Sequence, residues 1–221
     1  MCGRYELNET PARVGARYRI EPGEVEFAPS ADVRPTTSNP VVFVHDGVRR
    51  VAMRRWGFVP SWVKDPKAVS NPFNAASETA ADKPFFRSAF RRRRCIVPAN
   101  AFFEWKAEAG AKRKIKYRIV RADGELISLA GLHEHWRNED RSIASYTILT
   151  TQPNELMATI HARMPVIIGD AEIDEWLAPE TSIDTARAMC MPCPSDWLVV
   201  APQPWDVVPS TLPGRGGPWG G

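Results

Sequence analysis

The chain has 221 residues, 43% of them hydrophobic and 25% charged, which is enough for one sizeable, well-buried domain. Its formal charge is +3, from 29 Lys and Arg against 26 Asp and Glu, so bulk charge makes no case for nucleic-acid binding. No apolar run reaches membrane-spanning length and Met1 opens no signal-peptide pattern, so a soluble, cytoplasmic protein without a membrane partner is expected.

Taken in chain order, Val14 and Tyr18 recur at helical spacing between Asn8 and Ile20, with Thr10-Pro11 supplying a cap and first turn. Val41 to His45, the turn Asp46-Gly47, and Val48 to Met53 read as a hairpin, because Asp-Gly supplies the positive φ angles that a tight turn needs. Strand patterns follow at Cys95 to Val97, Phe102 to Trp105, Ile115 to Val120, Leu126 to Ala130 and Tyr146 to Thr151. Helical patterns lie at Pro153 to Ile160, at Asp170 to Leu177 with Asp170 as cap, and at Ser182 to Met189 with Ser182 as cap. Beyond Trp205 the chain is rich in Pro and Gly with little to bury. The expectation is one α+β, mainly β domain over residues 1–205 and a disordered tail over 206–221.

Arg91 to Arg94 form one basic run and Lys112, Arg113, Lys114, Lys116 and Arg118 another. Such runs attract a phosphate backbone, and they equally fit a solvated edge strand carrying basic gatekeepers. Four cysteines are too few for a disulfide framework in a chain this long, so reduced thiols are expected. Cys190-Met191-Pro192-Cys193 has the spacing of a redox pair or half a zinc site, for which His133-Glu134-His135 are further ligand candidates; surface cysteines are the plainer reading.

Cys2 has a chemistry that an internal cysteine lacks. Removal of Met1 before so small a residue leaves one residue carrying both an α-amine and a thiol, with pKa values near about 8 and about 8.5. An aldehyde condenses with the amine to an imine, and the thiol then closes a five-membered thiazolidine ring.

Met1-Cys2-Gly3-Arg4-Tyr5 is followed, in order, by Pro35-Thr36, Trp56 to Trp62, Asn74 to Thr79, Lys83-Pro84 with Arg87, Arg94 to Ala99, Phe102 to Trp105, Ala130-Gly131-Leu132 and Ile160 to Ile167. This ordered set resembles the SRAP family, the SOS-response-associated peptidases or abasic-site processing proteins. The resemblance implies a single SRAP-like domain with a strongly curved, barrel-like antiparallel sheet and flanking short helices. It implies a monomer that binds single-stranded DNA at abasic sites and links to it through the N-terminal cysteine, attended by replication or repair machinery. By the same resemblance Cys2 is the nucleophile, Asn74 a positioning group, and Glu104 and His161 acid/base groups.

That chemistry uses no cofactor and no metal. An acid must open the deoxyribose ring, which suits His161, and a carboxylate made more basic by Phe102, Phe103 and Trp105 suits proton transfer at Glu104. Single-strand binding calls for stacking faces, here Trp62 and Trp105, and for phosphate-binding cations, here Arg4, Arg87 and Arg163. The chain departs from the family at Ala76, where arginine is usual, at Thr37, at Ala101, and in the C-terminal stretch Trp197 to Pro202. A lyase side reaction by β-elimination follows from the imine. The competing enzyme class is an N-terminal-nucleophile cysteine peptidase, in which the α-amine of Cys2 is the base and Met1 is trimmed autocatalytically.

Overall fold

A computed structural model describes residues 2–21, 23, 26–108, 110 and 113–203. The expected tail lies outside these residues. In chain order the elements are β1 (Tyr5–Leu7), α1 (Pro11–Tyr18), β2 (Ser30–Val33), β3 (Ser38–His45), β4 (Val48–Trp56), β5 (Asn74–Ala76), α2 (Ser77–Ala80), α3 (Arg87–Arg92) and β6 (Arg94–Ala99). They continue with β7 (Ala101–Lys106), β8 (Ile115–Arg121), β9 (Ile127–Arg137), β10 (Ser142–Thr151), α4 (Glu155–Ala158), β11 (Met164–Pro165), α5 (Ile173–Leu177), α6 (Ile183–Ala188) and β12 (Leu198–Pro202).

Five strands close a barrel. β3 pairs with β4 and β6, β6 with β9, and β9 with β10, all antiparallel. The barrel is sealed by a parallel pairing, Ser145 opposite Arg55 and Tyr146 opposite Trp56, where an all-antiparallel curve was expected. Its interior holds Trp56 stacked on Tyr146, with centroids 6.0 Å apart and planes 9° from parallel. A second sheet, in the order β12-β8-β7-β1-β2, is antiparallel throughout. The C-terminal departure from the family is absorbed here, because Leu198 to Pro202 runs as a full partner of β8.

The local signals act as their physics requires. Thr10 caps α1 through its hydroxyl, accepting from the Arg13 N–H, and Val14 and Tyr18 form the buried stripe. The β3–β4 turn places Asp46 and Gly47 at φ 50° and 73°, as a two-residue hairpin demands. Thr36 takes φ 77°, an expensive conformation for a β-branched residue, and is held there by donating its N–H to the Trp56 carbonyl at 2.7 Å. Asp170 is not the cap expected of it. Gly169 precedes that short 3₁₀ turn, while the Asp170 carboxylate accepts from Arg17 and, at 2.7 Å, from Arg121.

The basic runs are not continuous phosphate-binding surfaces. Arg94 is 2% exposed and donates to the carbonyls of Phe90, Arg91, Trp176 and Ala178, tying α3 to α5. Arg93 pairs with buried Glu134 at 2.8 Å, and Lys116 lies 4.0 Å over the Phe103 ring. Lys112 falls outside the described residues.

Candidate active site around Cys2

The two sheets bring the N-terminus to its companions. β1 pairs with β7 with Tyr5 opposite Phe102, and the Phe103 N–H donates to the Arg4 carbonyl at 2.9 Å. Carried back along β1, this register sets Cys2 and Gly3 beside Glu104. From the barrel side β5 pairs in parallel with β10, Asn74 opposite Ile148, so Asn74 reaches the same place. Its Nδ2 donates to the Cys2 carbonyl at 2.8 Å. His161, in the turn after α4, completes the group with Nε2 3.9 Å from Glu104 Oε2. Cys2, Asn74, Glu104 and His161 thus converge from four separate segments of the chain.

Burial sets the electrostatics. Cys2 is fully buried and Glu104 is 1% exposed. Removal from water pushes the Glu104 carboxyl up to about 7, into the range where it both takes and gives protons at neutral pH. Burial and the nearby Glu104 charge push the Cys2 thiol well above its ordinary value, so it is held as the thiol. The His161 imidazole is moved down, chiefly by desolvation. Its Nδ1 lies 3.0 Å from the Arg163 N–H and 3.1 Å from the Arg163 carbonyl; in the tautomer that accepts from the N–H the ring hydrogen is on Nε2, facing Glu104. Asn74 Oδ1 is buried and accepts no hydrogen bond among the described residues, so an acceptor stands ready beside Cys2.

The proposed DNA contacts divide. Arg4 and Arg163 lie next to the site, but both are held by carboxylates: Arg4 by Asp32, and Arg163 by Glu78 in a two-point pair at 2.6 and 2.9 Å. Arg163 also donates to the Thr150 carbonyl at 2.6 Å. The Arg163 guanidinium holds the Glu78 carboxyl below its ordinary range. Arg87, exposed at the start of α3, makes no ion pair among the described residues. Trp62 is 61% exposed and meets Phe85 edge-on, with centroids 6.3 Å apart. Trp105 is half-buried, and strand alternation sends it to the face of β7 opposite Glu104.

Three residues near the site had no role in the sequence reading. Tyr5 and Tyr146 hydroxyls meet at 2.8 Å and Asn39 Nδ2 donates to Tyr146 at 3.2 Å, a fully buried polar chain against the barrel wall behind Cys2. Only the place of Tyr5 at the end of the Cys2 block hinted at it. Among the described residues no three His, Cys, Asp or Glu side chains group so as to hold a metal ion. His133 and Glu134, invoked as zinc ligands, are occupied otherwise: His133 packs on Phe43 and Glu134 on Arg93. Cys190 and Cys193 are buried, not surface thiols.

Fold and site together define a class of small β-barrel protein in which a cysteine at position 2 is enclosed by an amide, a buried carboxyl and an imidazole. The chain belongs to the SOS response associated peptidase (SRAP) family, whose model matches residues 1–208. It is 39% identical over 201 residues to the abasic site processing protein YoqW of Bacillus subtilis, covering 89% of each chain. It is 27% identical over 220 residues to the abasic site processing protein HMCES of Xenopus tropicalis, covering 80% of this chain and 66% of that one. A crystal structure of a Bacteroides thetaiotaomicron protein matches 93% of both chains with a TM-score of 0.83 at 26% identity.

Proposed function

We propose that this protein processes abasic sites in single-stranded DNA by covalent capture, the ring-opened sugar aldehyde forming a thiazolidine with Cys2 once Met1 is removed. The observation that carries this reading is the convergence of Cys2, Asn74, Glu104 and His161 on one buried site. The names of the relatives, which are abasic site processing proteins, agree with it.

The residues divide the work as their surroundings dictate. Protonated Glu104, with its carboxyl near 7, is the acid present at neutral pH, and His161 Nε2–H is a hydrogen-bond donor to the ring oxygen as the sugar opens. The Cys2 amine, held by Asn74 Oδ1, adds to the aldehyde carbon. Glu104 gives its proton to the departing hydroxyl, and water leaves as the imine forms. The Cys2 thiol then adds to the imine carbon; its proton passes to Glu104, which was left ionised, and the former imine nitrogen ends as the ring amine. A buried thiol of raised pKa suits this order, because sulfur attacks only after the amine has fixed the aldehyde beside it.

The test is incubation with uracil-containing single strands treated with a uracil glycosylase, read by denaturing gel and intact mass. The wild type should give a shifted band and Cys2→Ala none; an undiminished band for Cys2→Ala sinks the reading. Cys2→Ser separates it from a peptidase, because serine preserves nucleophilic hydrolysis and cannot close a thiazolidine.

A further inference from the structure

A pocket of about 290 Å³ opens where β5 passes into α2, lined by Ser77, Glu78, Thr151, Gln152, Arg187, Cys190, Met191 and Pro192. It adjoins the capture site. Asn74 holds Cys2, and three residues on, roughly 10 Å along extended chain, Ser77 is in the pocket wall. Thr151 comes alongside Ser77, one residue beyond the Thr150 that pairs with Ala76 and anchors Arg163.

Its chemistry is that of a neutral, flat, polar-edged ligand. The two charges on its rim are already answered, Glu78 by Arg163 and Arg187 by Asp82. Ser77 and Thr151 are each 4% exposed or less and line the pocket, yet their hydroxyls make no hydrogen bond among the described residues. Gln152 is exposed at the mouth, likewise with its amide unengaged. Two hydroxyls and an amide that face the pocket without a protein partner are free to hydrogen-bond a ligand that enters it. Met191, 66% exposed, presents a thioether, and a methionine sulfur packs well against a flat ring. The volume lies at the lower end of ligand pockets, sized for one ring system and not for a whole nucleotide.

We infer that this pocket receives the base of a nucleotide flanking the abasic site, stacked on Met191 and hydrogen-bonded by Ser77, Thr151 and Gln152. The inference rests on the proposed capture of abasic strands. It adds a subsite that reads the presence of a neighbouring base, so the chain prefers an isolated lesion to a run of lesions.

Fluorescence anisotropy with strands that cannot crosslink tests the subsite apart from the chemistry. The probes carry a tetrahydrofuran in place of the abasic sugar and, in two further strands, a second tetrahydrofuran on its 5′ or its 3′ side. Removing the base on one side should weaken binding by about tenfold, the order expected for one stacked base, and on the other side by much less. In the Gln152→Ala/Met191→Ala double variant, both on exposed side chains, that asymmetry should fall below about twofold. Equal affinity of the wild type for all three strands, or an asymmetry unchanged in the double variant, overturns the inference. Crosslinking of a true abasic strand, run in parallel, reports on the capture reading alone.

Discussion

Glu104→Gln removes one ionisation while keeping side-chain size, and its effect follows from burial. In the unfolded chain the carboxyl titrates near about 4.3, and in the fold near 7. Between those values the folded state binds more protons than the unfolded state, so stability falls as pH rises, by about 1.4 kcal/mol for each pH unit. The contribution is fully present below the unfolded pKa and lost above pH 7, about 3.7 kcal/mol in all, of which about 3 falls between pH 4.5 and 8. Glutamine pays none of it. Urea unfolding of both proteins from pH 4.5 to 8 should therefore show the wild type losing about 3 kcal/mol relative to the variant, with groups common to both cancelling in the difference. Crosslinking by the wild type should change with an inflection near pH 7 that the variant lacks. Parallel stability profiles would refute the account, since Glu104 would then be ionised in the fold and unavailable as an acid.

Two further outcomes test the site and the barrel. Arg87→Ala should lower the slope of log affinity against log salt by about one, whereas Arg163→Ala should leave the slope nearly unchanged because its charge is already taken by Glu78; a larger slope change for Arg163 would place the phosphate track beside His161. Gly131→Ala should destabilise the fold by about 1–3 kcal/mol in thermal or urea unfolding, because a Cβ there meets Cys95 Sγ and the Thr147 carbonyl, each at 2.9 Å; wild-type stability would mean that the barrel wall yields at no cost.

How much could be read in the sequence depended on the range of the interaction. The α1 cap at Thr10, the Asp46-Gly47 hairpin and the Ser182 cap are local, and each forms where its residues predict. Strands β1, β5 and β11, of three, three and two residues, have no period to detect and exist only because a partner strand lies alongside. The parallel seam between β4 and β10 joins residues some ninety positions apart and leaves no local trace. Charge was misread for the same reason. Arg94 looks like one more surface arginine until α5 supplies the Trp176 and Ala178 carbonyls that bury it. The candidate site was legible through ordered blocks and not through spacing, since Asn74, Glu104 and His161 are remote from Cys2 in sequence and share no period with it.

What the structure adds to Cys2 is a reason for its restraint. An exposed aminothiol at a chain terminus would react with any small aldehyde, but here the thiol is enclosed, kept protonated and overlooked by a carboxyl that is itself only half ionised near neutrality. Asn74 fixes the backbone of Cys2 with one amide atom and keeps the other free of partners among the described residues. On the proposed capture, reactivity depends on a substrate that brings its aldehyde between these groups and, through the subsite inferred beyond Ser77, on whether a neighbouring base holds the strand in register. Selectivity in this arrangement belongs less to the nucleophile than to the walls around it.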